Sequence, residues 1–255
     1  MAVFRGPVPA GTFDAEEASW QVRADDLPYE VQAPITMGVA IVADDLSGDG
    51  VADLVVTSPD SSPVVEQEGA VYLWEGPIAA DRYTTGATAT LHGDIIYDML
   101  GIDAQGLGDT DGDGYRELGV GSRGGTLGDA WIINGMPQGT AGIGERARTR
   151  FQGIDELDIL GGVFPAGDLD NDGFDDIAVT ASEIGDDKTG GVYVFYGPLP
   201  VGSYRVDDCA SAIVRGGSEN NPPWDIAAGD YQGDGVPDLA VGQVGGVFIL
   251  AGAPP

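Results

Sequence analysis

Residues 167–179 read GDLDNDGFDDIAV, with five acidic side chains between Asp168 and Asp176 followed at once by an apolar run. Like charges packed this tightly repel, and such blocks often belong to solvated tails. The β-branched and apolar IAVTAS that follows excludes a tail. The same phrase occurs four times: DLSGDGVADLVV from Asp45, DTDGDGYRELGV from Asp109, DLDNDGFDDIAV from Asp168 and DYQGDGVPDLAV from Asp230. The starts lie 64, 59 and 62 residues apart. A motif at a near-constant period of this size describes an architecture of repeated units before it describes a chemistry.

Composition narrows the partners. The 255 residues carry 42 acidic and 11 basic side chains, a net charge of −31. Nucleic acid and anionic membrane surfaces both require positive charge and are disfavoured; a cation is the natural partner. No stretch approaches the roughly 18–20 apolar residues that span a bilayer, so membrane insertion is not expected. A content of 42 Gly and 16 Pro without a short period fits tight turns between many short strands. Cys209 is the only cysteine, which excludes an internal disulfide framework.

The text between the acidic phrases is shared as well. Before each stands a short apolar stretch (MGVAIVAD, GIDAQGLGD, GGVFPAGD, WDIAAGD), and after each a β-rich one (LVVTSP, LGVGS, IAVTAS, LAVGQ). An aromatic stretch ending in Gly follows: AVYLWEGP, AWIINGMP, GVYVFYGP, GVFILAG. The first three intervals add ATATLHGD, ARTRFQGI and SAIVRGG. These runs of four to eight residues, bounded by Gly, Pro, Asp or Asn and rich in Val, Ile and aromatics, are strand signals. The segment 12–27 lacks Gly and Pro, but Trp20, Val22 and Ala24 alternate, which predicts a strand over its second half. Four strands per period of about 60 residues is the size of a propeller blade. The expected fold is therefore all-β: a β-propeller of four-stranded antiparallel blades built from four repeats.

Aligned, the acidic phrase is D-x-[DSQ]-x-D-G-x-x-[DE], with oxygen-bearing side chains at positions 1, 3, 5 and 9 and Gly at 6. A hard cation such as Ca²⁺ takes six to eight oxygens at ~2.3–2.6 Å from carboxylates and carbonyls. Alternate residues of a tight loop point inward together, and the carbonyl at position 7 supplies a further ligand. The candidate ligands are Asp45, Ser47, Asp49, Val51 and Asp53; Asp109, Asp111, Asp113, Tyr115 and Glu117; Asp168, Asp170, Asp172, Phe174 and Asp176; and Asp230, Gln232, Asp234, Val236 and Asp238. An EF-hand needs a bidentate Glu at position 12 and flanking helices. Position 12 here is Val56, Val120, Val179 and Val241, so that reading fails. Up to four Ca²⁺ are expected, one per repeat, pinning the hairpin between the first two strands. Because charge count tunes affinity, the loops at 168–176 and 109–117 are expected to bind most tightly, ahead of 45–53 and 230–238.

With these loops, an apolar-Gly step at Met37-Gly38, Leu100-Gly101 and Leu160-Gly161, and the segments TSP, GSR, TAS and GQV after them, nearly the whole chain resembles the FG-GAP repeats of integrin alpha subunits and their bacterial relatives. The resemblance implies four-stranded antiparallel blades, Ca²⁺ in the hairpin loops and an extracellular role in adhesion or ligand binding. The chain departs from it in two respects. Pro222-Pro223 replaces the apolar-Gly step in the fourth repeat, and the family usually builds seven blades where four repeats stand here. A single domain over 1–255 is expected, with blades near 35–94, 98–154, 158–217 and 222–252. The N-terminal residues 1–25 are expected to complete the last blade through SWQVRAD, leaving AVFRG over. A monomer is expected, and a piece of a longer array or a blade-sharing dimer is the alternative.

Propellers present loops from every blade on one face, and such platforms usually bind partners. The expected function is a calcium-stabilised extracellular scaffold, secreted or at the cell surface, presenting loops to a protein or carbohydrate partner and not acting as an enzyme. Trp20, Trp74, Trp131 and Trp224 are expected to fill gaps between blades. The alternative is a propeller-fold hydrolase or lyase acting on polysaccharide or phosphodiester. His92 is the only histidine, and at the end of a fourth strand it reads as a turn cap. Carboxylates committed to Ca²⁺ cannot serve as acids of raised pKa.

Overall fold

The computed structural model of the protein describes residues 2–3, 18–24, 36–123, 127–154, 160–181, 189–216, 225–243 and 245–252. Trp224 and the Pro222-Pro223 step lie outside them. Two strands come first, β1 (Ala2–Val3) and β2 (Trp20–Arg23). The first repeat holds β3 (Ile41–Asp44), β4 (Asp53–Ser58), β5 (Ala70–Trp74), a short β6 (Arg82–Tyr83) and β7 (Ala89–His92). The second holds β8 (Asp103–Gly108), β9 (Glu117–Ser122), β10 (Asp129–Asn134), β11 (Gly139–Gly142), a one-turn helix α1 (Ile143–Arg146) and β12 (Thr149–Gln152). The third holds β13 (Leu160–Gly167), β14 (Asp176–Ala181), β15 (Gly191–Phe195), β16 (Gly202–Arg205), α2 (Val206–Cys209) and β17 (Ala212–Arg215). The fourth holds β18 (Asp225–Gly229), β19 (Asp238–Gln243) and β20 (Gly246–Leu250). The protein is thus all-β with several sheets, as an integrin-like propeller requires.

Each repeat folds as an antiparallel meander, and the acidic phrase is the connection between its first two strands. Leu54 lies opposite Ala43 across the first of these hairpins and Leu239 opposite Ala228 across the last. The sheets run β11-β7-β5-β4-β3, β16-β12-β10-β9-β8, β13-β14-β15-β17 and β18-β19-β20. A fifth strand, which the sequence pattern did not predict, joins repeat to repeat. The segment β11 of the second repeat pairs in parallel with β7 of the first, and β16 of the third with β12 of the second. These segments read GTAG and GSYR, without the apolar alternation that marks a strand.

The N-terminal strand β2 lies between two others. Trp20–Arg23 pairs with Ala2–Val3 on one side and, in parallel, with Arg82–Tyr83 on the other, while β18, β19 and β20 form a three-stranded sheet. The residues AV lie in the same register on β2 (Val3 opposite Trp20) as Val194 does opposite Ala212 between β15 and β17. Ala2–Val3 thus stands beside Trp20–Arg23 as a third-type strand stands beside a fourth-type one.

The core explains why the central strands read as continuous apolar runs. In β10, Trp131 and Ile133 pack with the first repeat, whereas Ala130 and Ile132 pack with the third. In β14, Ile177 and Val179 face the second repeat and Ala178 the fourth. Alternation at period two thus feeds two cores, one on each face, and both are buried. Between repeats two and three the sheets approach so closely that a Cβ on Gly121 would meet the carbonyl of Gly161. Trp74 and Trp131 are buried in these layers and Trp20 is half-buried.

Candidate metal centres in the hairpin loops

Each loop is wired before any ion is considered. The position-1 carboxylate staples it: Asp45 accepts from the amides of Gly48, Asp49 and Gly50, and Asp230 from Gly233, Asp234 and Gly235. Asp109 accepts from Gly112 and Gly114, and Asp168 from Asp172 and Gly173. The position-5 carboxylate accepts the amide of position 7 in all four copies. Gly at position 6 takes a left-handed φ, from 86° at Gly50 to 97° at Gly173, which only glycine adopts without strain.

Position 9 is the costly one. Asp53, Glu117, Asp176 and Asp238 begin the second strands and are at most 1% exposed. Burying a carboxylate is tolerated only when it is hydrogen-bonded or paired with a cation. One oxygen accepts the amide of position 2: Leu46 to Asp53 at 3.0 Å, Thr110 to Glu117 at 2.6 Å, Leu169 to Asp176 at 2.7 Å and Tyr231 to Asp238 at 2.9 Å. In three loops the other oxygen accepts a glycine amide beyond the third strand, from Gly76, Gly197 and Gly252. None of these partners was legible from the loop text, because each lies on the backbone.

The loops are not equivalent. Carboxylate oxygens of Asp109, Asp111 and Glu117 lie within 4.8 Å of one another, and so do those of Asp168, Asp170 and Asp176. Glu117 Oε1 and Asp170 Oδ1 are buried with no hydrogen-bond partner. Burial pushes the Asp176 carboxyl up to about 6, against the amides of Gly197 and Leu169, with Asp170 and Asp168 raising it further. Burial likewise raises Glu117 and Asp170. These are carboxylates lacking positive charge, and all-oxygen donors around orphaned oxygens fit a hard divalent cation. The fourth loop behaves oppositely. The Gln232 amide donates to Asp238 at 3.0 Å and holds its carboxyl below the usual range, and Asp230 is lowered first by the Gly235 amide.

Successive loops touch. The Asp175 amide donates to the Asp109 carbonyl, and the Leu199 amide to the Thr110 carbonyl. The Tyr115 ring lies 2.9 Å from where a Cβ on Gly48 would stand. Two further groups reach the second loop: Arg148 forms an ion pair with Asp111, and Asn134 Nδ2 lies 2.7 Å from Asp113 Oδ2.

The other chemical candidates are committed elsewhere. His92 Nδ1 sits 2.9 Å from the Gly93 carbonyl and 3.5 Å from buried Glu68. Cys209 is half-buried beside the core between repeats two and three, with its thiol pushed up by burial. Among the described residues no helix is long and apolar enough to cross a membrane.

The FG-GAP repeat family model matches residues 37–74 and 160–195, which contain the loops 45–53 and 168–176. Integrin alpha-V of Gallus gallus is 29% identical over 223 residues, covering 82% of this chain and 20% of that protein. Integrin alpha pat-2 of Caenorhabditis briggsae is 26% identical over 223 residues, covering 81% and 18%. Integrin alpha-4 of Xenopus laevis is 29% identical over 156 residues, covering 56% and 14%. The chain therefore spans about a fifth or less of the length of these relatives. The repeated hairpins, their glycine-turned acidic loops and these likenesses agree: the chain carries FG-GAP repeats and is homologous over most of its length to the integrin alpha chains.

Proposed function

We propose that the protein is a calcium-stabilised binding scaffold: a propeller whose four repeats act as blades near 35–94, 98–154, 158–217 and 222–252 of one domain. Each hairpin loop offers Ca²⁺ its carboxylates at positions 1, 3, 5 and 9, with Ser47 and Gln232 as the two neutral substitutes, and the carbonyls of Val51, Tyr115, Phe174 and Val236. The ion contributes charge neutralisation and holds the first two strands of a blade together. It plays no chemical part in turnover, and the protein is not an enzyme. The scaffold acts outside the cell or at its surface, as a monomer, and presents its loops to a protein or carbohydrate partner. Similarity to integrin alpha chains supports the binding role.

The observation that carries this reading is the convergence of three carboxylates in each of two loops beside a buried oxygen without a partner. Folding leaves such an oxygen desolvated at a cost of about 1–3 kcal/mol unless a cation meets it. Equilibrium dialysis against millimolar Ca²⁺, combined with molar mass in solution, tests the reading. Retention of two to four ions per chain and a melting temperature lowered by chelator are expected. A protein that retains no divalent ion and melts identically in chelator refutes it.

A further inference from the structure

Four carboxylates make the loop 109–117 an equal of 168–176 by charge count, yet only one of the two carries a cationic side chain among the described residues. The Arg148 guanidinium is ion-paired to Asp111 Oδ2, which also accepts from Asn134 Nδ2 at 3.2 Å. The same Asn134 nitrogen reaches Asp113 Oδ2 at 2.7 Å. Positive charge and donors thus already occupy Oδ2 of Asp111 and Oδ2 of Asp113.

The fold does not require arginine there. Arg148 precedes β12 and its amide donates to Ile132, as the amides of Thr88 and Ser211 donate to Leu73 and Val194 in the neighbouring repeats. At those equivalent positions a short hydroxyl suffices: Thr88 Oγ1 accepts from the Glu75 amide and Ser211 Oγ from the Tyr196 amide, each at 3.0 Å. The second repeat replaces that hydroxyl with a side chain long enough to reach the loop. At the same time Glu117 Oε1, fully buried and without a partner, leaves the loop one oxygen short of satisfaction.

We propose that Arg148 is a built-in counter-cation of the loop 109–117, which a divalent ion must displace from Asp111. This inference rests on the calcium reading of the loops and refines it. The arginine neutralises the loop when calcium is scarce, so this site binds more weakly than its carboxylate count predicts and fills after 168–176. A displaced guanidinium has a destination. A cavity of about 470 Å³ is lined by Arg148 itself together with Asp94, Trp131, Arg150 and Ser203. Within it Arg150 is held by Asp129 at 2.9 and 2.8 Å. The Arg148 carbonyl accepts the Gly202 amide of β16, so the backbone of the same residue joins repeats two and three and stays in place while the side chain moves.

Tyr115 at position 7 gives a site-resolved readout, since a tyrosine beside bound Tb³⁺ sensitises its emission. The component of that emission which Tyr115→Phe removes is titrated with Tb³⁺ and competed with Ca²⁺ in the wild-type chain, Arg148→Gln and Arg148→Lys. Removing one unit charge in contact with a ligand raises the Arg148→Gln affinity at this site by about tenfold or more, while Arg148→Lys stays near wild type. An unchanged affinity in Arg148→Gln, or an equal rise in Arg148→Lys, overturns the proposal while wild-type dialysis still finds bound Ca²⁺. If dialysis finds no bound ion in any of the three, the calcium reading itself fails and takes this one with it. Independently of any variant, the Arg148 Nε–H resonance of the wild-type chain shifts on saturation with Ca²⁺; a resonance that does not move overturns the proposal.

Discussion

Asp109 and Asp175 are joined reciprocally: the Asp175 amide donates to the Asp109 carbonyl at 3.0 Å, and the Asp109 amide to the Asp175 carboxylate at 2.9 Å. Asp175 is the fifth acid of its loop, at position 8, outside the ligand pattern. Its surroundings explain it: it binds the preceding loop rather than its own. Asp175→Ala leaves the half-buried Asp109 amide without its acceptor, and the expected loss is about 1–3 kcal/mol in urea denaturation. Asp175→Asn keeps an acceptor oxygen and loses less. Equal stability of Asp175→Ala and wild type would remove the link from the account.

Asp176 sets a dependence on pH whose sign reverses with calcium. Its folded carboxyl is pushed up to about 6, whereas an unfolded aspartate titrates near ~3.9. Between these values the folded chain holds a proton that the unfolded chain has lost, so stability falls as pH rises. In chelator, the Asp176 contribution is therefore unfavourable above pH ~6 and relieved by roughly 3 kcal/mol below pH ~4. Under the proposed function calcium needs the ionised form, so its affinity falls as pH drops below ~6 and the stabilisation it supplies fades with it. Melts from pH 4 to 8 with and without calcium should converge toward acid. Asp176→Asn should abolish the contribution in chelator, and an unaltered chelator profile in that variant would show that another group titrates.

How far the chain could be read in advance follows from where the information lay. The strands around the loops were legible because Leu54, Val56, Ile177 and Val179 sit in apolar runs bounded by Gly and Asp, and the ligand positions because side-chain oxygens recur at fixed spacing. The parallel strand β16 was not, since GSYR bonds through its backbone to Thr149–Gln152 and carries no pattern. Backbone amides also cap Asp53 and Asp176 from Gly76 and Gly197, 23 and 21 residues away. The placement of Trp20–Arg23 depended on a two-residue partner, Ala2–Val3, too short to register as a strand. The arginine on Asp111 was invisible for a different reason: a lone basic residue before a strand looks like surface charge until the fold brings it across.

The fourth loop offers a test of ligand chemistry against stability. Gln232 satisfies Asp238 with its own amide at 3.0 Å, an internal substitute for part of what a cation would supply. Gln232→Asp restores the fourth carboxylate, removes that donor and sets like charges together. In chelator the variant should be less stable by about 0.5–1.5 kcal/mol, the worth of one such hydrogen bond. In saturating calcium it should gain affinity at 230–238, because ligand charge tunes these sites. Calorimetric titration and paired melts read both effects. A variant destabilised equally with and without calcium would mean that this loop does not take the ion.

Phe151 and Phe195 stack at 4.1 Å between centroids with their planes 24° apart, both at most 1% exposed, and they join the second and third sheets across their shared core. If face-to-face packing of successive repeats supplies the stability, truncating one of them removes contacts from two sheets at once. Phe151→Ala should cost about 3–5 kcal/mol through lost burial and the cavity left behind. Ile249→Ala on β20, where the side chain is 49% exposed, changes similar chemistry without a second sheet to pack against and should cost within about 0.5–1 kcal/mol. Urea denaturation of both variants in saturating calcium separates packing from metal binding. A small loss at Phe151 would mean that neighbouring sheets stand without their shared core, and the repeat-stacking account of the fold would fail.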